Sequence, residues 1–188
     1  LASAYAAAKN GARVILAEDK PRFGGSLLTS EVNIGNQSGK EWADSIISEL
    51  KEMPNVTVKN RSQVFGYYDH NMLVMSEKIS DHLPETKQFH PKQRLWYIRA
   101  KEVIISSGSI ERPLVFGNND TPGVMLSSAA KEYLKVYGVL VGRNPLIFTN
   151  NDSGYETAIE FKKNGIDPII LDTRKNPESE IIDEAKNL

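Results

Sequence analysis

The 188-residue sequence contains no cysteine, which removes disulfide staples, thiolate zinc sites and any Cys-x-x-Cys redox pair from this span. It also lacks a dominant sign of charge: 23 basic residues against 24 acidic ones leave a formal net charge of −1, with both signs scattered along the chain. No broad basic face is available to neutralise phosphates, so nucleic acid is not expected as a partner. Apolar runs of the ~20 residues needed to cross a bilayer are missing too. The opening stretch LASAYAAAKNGARV has no basic segment ahead of its alanines and makes a poor secretory signal. These absences describe a cytoplasmic chain with no membrane partner. What is plentiful is core material, since 40% of the residues are hydrophobic, enough for one large domain or two small ones.

Leu1, Ala4, Tyr5 and Ala8 share one face of a helix that Gly11 stops, and Arg13 to Ala17 form a short apolar strand closing at Glu18. A second helix is expected from Lys40 to Met53, where Trp42, Ile46 and Leu50 recur every four residues before Pro54 ends it. Strands follow at Val56–Val58, Gln63–Tyr67 and Met72–Ser76, the last after an Asp69-His70-Asn71 turn. Ser80 to Gln93 reads as a polar excursion leading into RLWYIRA, and Val103 to Ser106 as a fully apolar strand running into Ser107-Gly108. Pro113 and GNNDTPG punctuate the chain, dividing it into a first domain over residues 1–113 and the start of a second over 114–188. Beyond a helix from Ser127 to Tyr137, the chain reads strand, tight loop, helix, Gly165, strand and Asp172. That is the grammar of residues 1 to 18 with its first strand present.

In a dinucleotide-binding βαβ unit, glycines after the first strand let the backbone reach a pyrophosphate, and an acid about 20 residues on holds the adenosine ribose hydroxyls. Glu18 stands where that acid belongs, although an acid at a strand end is also a common solvated residue. If residues 1 to 10 are the first helix of such a unit, its glycine turn would lie upstream of Leu1. Gly24-Gly25-Ser26 can let the chain pass close to a cofactor and offer a hydroxyl to a phosphate; the alternative is a flexible turn. A 2′-phosphate beside Glu18 and Asp19 would meet like-charge repulsion on the order of 4 kcal/mol, so NAD or FAD fits better than NADP, with Lys20 and Arg22 softening the difference. The strand end at Ser107-Gly108 completes a three-part pattern in which Gly108 lets the backbone approach a nucleotide, or merely supplies a positive φ.

FGGSLL, NVTV, VFGYYDHN, QRLWYIRAKEVIISSGSIERPLVFGNNDTPGVML and FTNNDSGYETA resemble, in order and wording, the front part of the alpha subunit of heterotetrameric sarcosine oxidases, starting just after that family's first glycine fingerprint. The resemblance implies an α/β fold of the two-dinucleotide-domain flavoprotein type, like thioredoxin reductase, here truncated at its first βα unit. It implies an oxidoreductase complex in which this segment holds NAD and carries no catalytic residue. FAD would lie in the beta subunit, FMN near the alpha–beta contact, and tetrahydrofolate in a later region of alpha, with gamma and delta subunits completing the partners. The NAD contacts carried over fall at Glu18, Asp19 and Lys20 around the ribose, at Ser26, and at Val64 through its backbone. Related amine, proline and opine dehydrogenase subunits share the scaffold. An isolated piece of this kind is expected to self-associate to cover an open sheet edge.

Disulfide-reducing relatives of the same architecture place a thiol pair where this chain has Ser127-Ser128-Ala129-Ala130, which cannot exchange thiols. The second glycine motif is degenerate: Thr149-Asn150-Asn151-Asp152-Ser153-Gly154 keeps only its last glycine. Asp152 is expected to cap the following helix and repel phosphate, and Asp172 to be a solvated strand-end residue, so this domain is expected to bind no dinucleotide. His70, His82 and His90 lack metal-type spacing. Tyr67, Tyr68, Trp42 and Trp96 read as core or interface aromatics.

Overall fold

The computed structural model describes residues 1–84 and 89–188 and divides the chain into two compact units, Leu1–Ser107 and Gly108–Leu188. The centre of the expected polar excursion, residues 85–88, lies outside the described residues.

In the first unit, helix α1 (Ala2–Lys9) leads into strand β1 (Val14–Ala17), and a single 3-10 turn at Gly25–Leu28 precedes a small antiparallel hairpin of β2 (Asn33–Ile34) and β3 (Gln37–Ser38). Helix α2 (Gly39–Glu52) starts at a capping box, in which the Ser38 hydroxyl accepts from the Glu41 N–H at 3.2 Å and the Glu41 carboxylate accepts from the Ser38 N–H at 2.9 Å. Strand β4 (Val56–Lys59) then pairs in parallel with β1, Val14 opposite Val56 and Ala17 opposite Lys59. Alternating residues Val14, Leu16, Val56 and Val58 pack with Ala8 of α1 against Ile46, Ile47 and Leu50 of α2. This is the core of the unit; burying each of its large aliphatic side chains contributes about 1.5–3 kcal/mol.

Strands β5 (Ser62–Tyr68), β6 (Met72–Lys78) and β7 (Gln93–Arg99) form an antiparallel meander, with a bulge in β5 between Val64 and Gly66. The β5–β6 turn is tight because His70 and Asn71 adopt positive φ and Asn71 ties Tyr67 to the Lys101 carbonyl. Only Val74 and Met75 of the meander are buried hydrophobics.

In the second unit, helix α3 (Ser127–Tyr137) ends at Gly138, whose φ of +65° suits a residue without a Cβ. Strand β8 (Leu146–Thr149), helix α4 (Ser153–Lys163) and strand β9 (Ile169–Asp172) form a parallel βαβ unit, and helix α5 (Glu180–Asn187) follows. Ala130, Ile147, Ala158 and Phe161 make its core. Among the described residues no helix is long and apolar enough to cross a membrane.

Three features differ from the sequence expectation, the first being the β2–β3 hairpin, which is not anticipated. Val103–Ser106 is not a strand: the run pairs with no strand among the described residues, and Ile104 and Ile105 are 67% and 69% exposed. Helix α5, which follows a Pro177-containing loop, is not anticipated, since only Ile182 of its eight residues is buried.

Candidate functional site

The parallel pair β1–β4 delivers Glu18 to the carboxyl end of β1 with its backbone fixed on both sides. Its N–H donates to the Lys59 carbonyl at 2.9 Å, and its own carbonyl accepts from the Ser62 N–H at 2.8 Å. Continuing outward, the Arg61 N–H donates to the Lys20 carbonyl at 3.0 Å and the Asn60 amide to the Pro21 carbonyl at 2.8 Å. Residues 59–62 therefore clasp the loop that carries Glu18, Asp19 and Lys20. The Glu18 carboxylate accepts from the Lys20 N–H at 3.1 Å. Partial burial and then the adjacent Asp19 carboxyl raise its pKa above the ordinary value of 4.5, outweighing the Lys20 N–H. Such a carboxylate gains from a hydrogen-bond donor that brings no second negative charge.

The two glycines of the following turn have different duties. At Gly24, with φ of +125°, an added Cβ would lie 3.1 Å from Leu28 Cδ2 and 3.3 Å from the Ala43 Cβ, so its smallness serves packing against α2. Gly25, with φ of +55°, faces open space. Ser26 is exposed, and its carbonyl accepts from the Thr29 and Ser30 N–H groups as the single turn closes.

Val64 follows the Ser62 anchor by two residues on β5. Its side chain is 42% exposed, and the bulge beside it takes Phe65 out of the ladder with β6. Glu18, Asp19, Lys20 and Val64 are thus linked through residues 59–62, whereas Gly24, Gly25 and Ser26 sit on the turn seated over α2. Gly108 belongs to the second unit, where it is exposed with φ of +67°. A cavity of about 230 Å³ opens beside the same loop, lined by Arg22, Phe23, Lys51 and Asn60 among others, and contains none of the expected contact residues.

In the second unit the altered glycine motif forms a different arrangement from the expected one. Asp152 makes no side-chain cap. The Asn151 side-chain oxygen accepts from the Ser153 N–H at 3.0 Å instead, while the Asp152 carboxylate turns to Arg174 Nη1 at 2.8 Å. Asp172 is not solvated either: its side chain is 9% exposed, gripped by Arg174 Nη2 at 2.8 Å and Nε at 3.1 Å, and it accepts from the Tyr155 hydroxyl at 3.0 Å. The Arg174 guanidinium holds the Asp172 carboxyl down to about 2, against the opposing effect of burial. Arg174 escaped the sequence reading; the available signal was a guanidinium two residues past the strand-end acid, the spacing of a local turn. The surviving Gly154 is required by close approach, because a Cβ there would lie 2.7 Å from the Thr149 side chain.

No family model matches the chain. Among characterised proteins it is similar to the sarcosine oxidase alpha subunit of Rhizobium meliloti (strain 1021), 43% identical over 175 residues, covering 93% of this chain and 18% of that protein. The corresponding protein of Corynebacterium sp. (strain U-96) is 36% identical, covering 94% of this chain and again 18% of the relative. An opine oxidase subunit of Agrobacterium tumefaciens (strain Ach5) is 25% identical over 94% of this chain and 35% of its own. Among solved structures, the L-proline dehydrogenase from P. horikoshii superposes with a TM-score of 0.71 at 22% identity, over 95% of this chain and 34% of that one. That likeness supports the expected α/β fold of the dinucleotide-binding flavoprotein type. The chain spans less than a fifth of the length of its sarcosine oxidase relatives, 18%. Along nearly its whole length, it is similar to the matching stretch of sarcosine oxidase alpha subunits.

Proposed function

We propose that this chain is the nucleotide-holding part of the alpha subunit of a sarcosine-oxidase-like oxidoreductase, and that its ligand is NAD. The observation that supports the reading best is Glu18: a partly buried strand-end carboxylate on a backbone fixed from both sides. The residues present fit the adenosine half of a dinucleotide. Glu18 would accept the ribose hydroxyls, with Asp19 and Lys20 flanking it. Gly25, which faces open space, would let the backbone approach, and the Ser26 hydroxyl would donate to phosphate. Gly24 would support that turn from beneath. The backbone at Val64, next to the bulge that takes Phe65 out of the ladder, would meet the adenine. A bound nicotinamide supplies hydride chemistry; these residues bind and orient, and none of them moves a proton in a chemical step.

The larger activity in this reading is that of the similar alpha subunits' enzyme: oxidation of sarcosine, with transfer of its one-carbon unit to tetrahydrofolate, in a cytoplasmic assembly with beta, gamma and delta subunits, FAD lying in beta and FMN near the alpha–beta contact. The similarity to the opine oxidase subunit and to L-proline dehydrogenase supports a second reading on the same scaffold, in which the complex oxidises another amine or imino acid. No residue of this stretch selects the amine. The second unit, where Arg174 bridges Asp152 and Asp172 beside the altered glycine motif, serves as structure and holds no dinucleotide.

Equilibrium titration of the full chain with NAD tests the proposal. Saturable binding that weakens in Glu18→Ala supports it; a chain that binds neither NAD nor FAD is a scaffold for partner subunits.

A further inference from the structure

Glu77 lies on β6 with its side chain 15% exposed, and three groups converge on its carboxylate. Lys59 Nζ is 2.9 Å from Oε1, the Trp96 indole N–H donates to Oε2 at 2.7 Å, and Arg94 Nη1 stands 3.6 Å from Oε2. The Lys59 ammonium also rides over the Trp96 ring, 4.9 Å from its centroid, with the Arg94 guanidinium at 5.7 Å. Burial pushes the Glu77 carboxyl upward, but Lys59, Trp96 and Arg94 outweigh it and keep the group ionised below the usual range.

These residues come from two different sheets. Lys59 ends β4 of the parallel pair, whereas Glu77, Arg94 and Trp96 belong to the antiparallel meander. Apolar packing has no preferred direction, and the meander offers little of it: Tyr67, Tyr68, Leu95 and Tyr97 are all at least half exposed. A carboxylate bonded to an indole N–H on one oxygen and an ammonium on the other is directional. The joint also lies directly behind the candidate site. The Lys59 carbonyl accepts from Glu18, the Arg61 carbonyl accepts from the Lys78 N–H at 2.9 Å, and Ser62, 1% exposed, donates to the Glu18 carbonyl.

We propose that Glu77 is a positioning residue: by gripping Lys59 and Trp96 together it fixes the antiparallel sheet against the end of β1 and so sets the placement of Val64 relative to Glu18. Its effect on a nucleotide rests on the NAD reading above; its effect on the joint does not.

The test uses the full chain with Glu77→Ala, Glu77→Gln, Glu18→Ala and the Glu77→Ala/Glu18→Ala double variant, reading amide hydrogen exchange and NAD affinity. Glu77→Ala should speed exchange at Arg61, Ser62 and Lys78 by about tenfold while Ile46, Ile47 and Leu50 stay within about twofold. It should raise the NAD dissociation constant about tenfold. Glu77→Gln, which keeps an acceptor for Trp96 and loses the ion pair, should raise it about threefold, and the double variant should bind within about twofold of Glu18→Ala alone. Unchanged exchange at Arg61 and Ser62 overturns the proposal, as does equal acceleration throughout α2, or NAD effects of the two substitutions that simply add. A wild-type chain with no saturable NAD binding overturns the nucleotide reading alone, and the exchange pattern then decides the role of Glu77.

Discussion

Arg174 and Asp172 are two residues apart at the end of β9, and the guanidinium holds the carboxylate through two nitrogens at 2.8 and 3.1 Å while reaching across to Asp152. The Asp172 pKa falls from 3.8 to about 2 in the folded chain. A carboxylate depressed on folding adds stability above its unfolded value and loses it as pH falls through the folded one. The contribution of Asp172 should therefore be complete above pH 3.8 and disappear toward about 2. Arg174→Leu should lower the melting temperature at pH 7 and flatten its dependence on pH in that acid window. An unchanged acid profile would show that the pair does not contribute as described.

Glu18 behaves in the opposite sense. Its pKa lies above 4.5 because the folded chain partly buries it. A ribose hydroxyl donates better to a carboxylate than to its protonated form, so NAD affinity should start to decline at a higher pH than an ordinary carboxylate would produce. Glu18→Ala should weaken binding by about 1.5–3 kcal/mol, the worth of a hydrogen bond to a charged group, and abolish that pH dependence. Isothermal titration across the acid range measures both.

Gly154 and Gly25 make a matched pair of substitutions. Gly154→Ala forces a Cβ to within 2.7 Å of Thr149 and should destabilise the chain by about 1–3 kcal/mol, as overpacking does. Gly25→Ala meets no atom within 4 Å and should cost about 1 kcal/mol from its left-handed backbone alone, yet weaken NAD binding where the chain must pass close to the ligand. Denaturant unfolding separates the two from affinity.

Leu50 of α2, fully buried in the cluster with Ala8, Ile46 and Ile47, is a large aliphatic anchor of the first core. Leu50→Ala should lose about 2–5 kcal/mol. The same truncation at exposed Leu95 should change the denaturation midpoint little.

Local rules carried much of the architecture. The recurrence of Trp42, Ile46 and Leu50 every four residues, with Pro54 as the stop, places α2 to within one residue at each end without reference to the rest of the chain. Short alternating runs likewise place β1, β4, β5 and β6 to within one or two residues. Val103–Ser106 fails for the converse reason: strand formation depends on a neighbour, and an apolar run does not contain its own partner. At Asp152 and Asp172 residue type was legible but side-chain direction was not, because a single guanidinium from beyond the strand captured both carboxylates. Nothing in the pattern of residues 59–62 announces that their backbone clasps the loop after β1; that role belongs to hydrogen-bond geometry, which sequence periodicity does not encode.

Ile104 and Ile105 stand two-thirds exposed on backbone that belongs to no ladder. Such a segment is an adhesive, and apolar attraction strengthens on warming. Heating concentrated solutions of the chain should therefore produce turbidity before the α2 core melts, and dilution should postpone the clouding without moving the intrinsic melt.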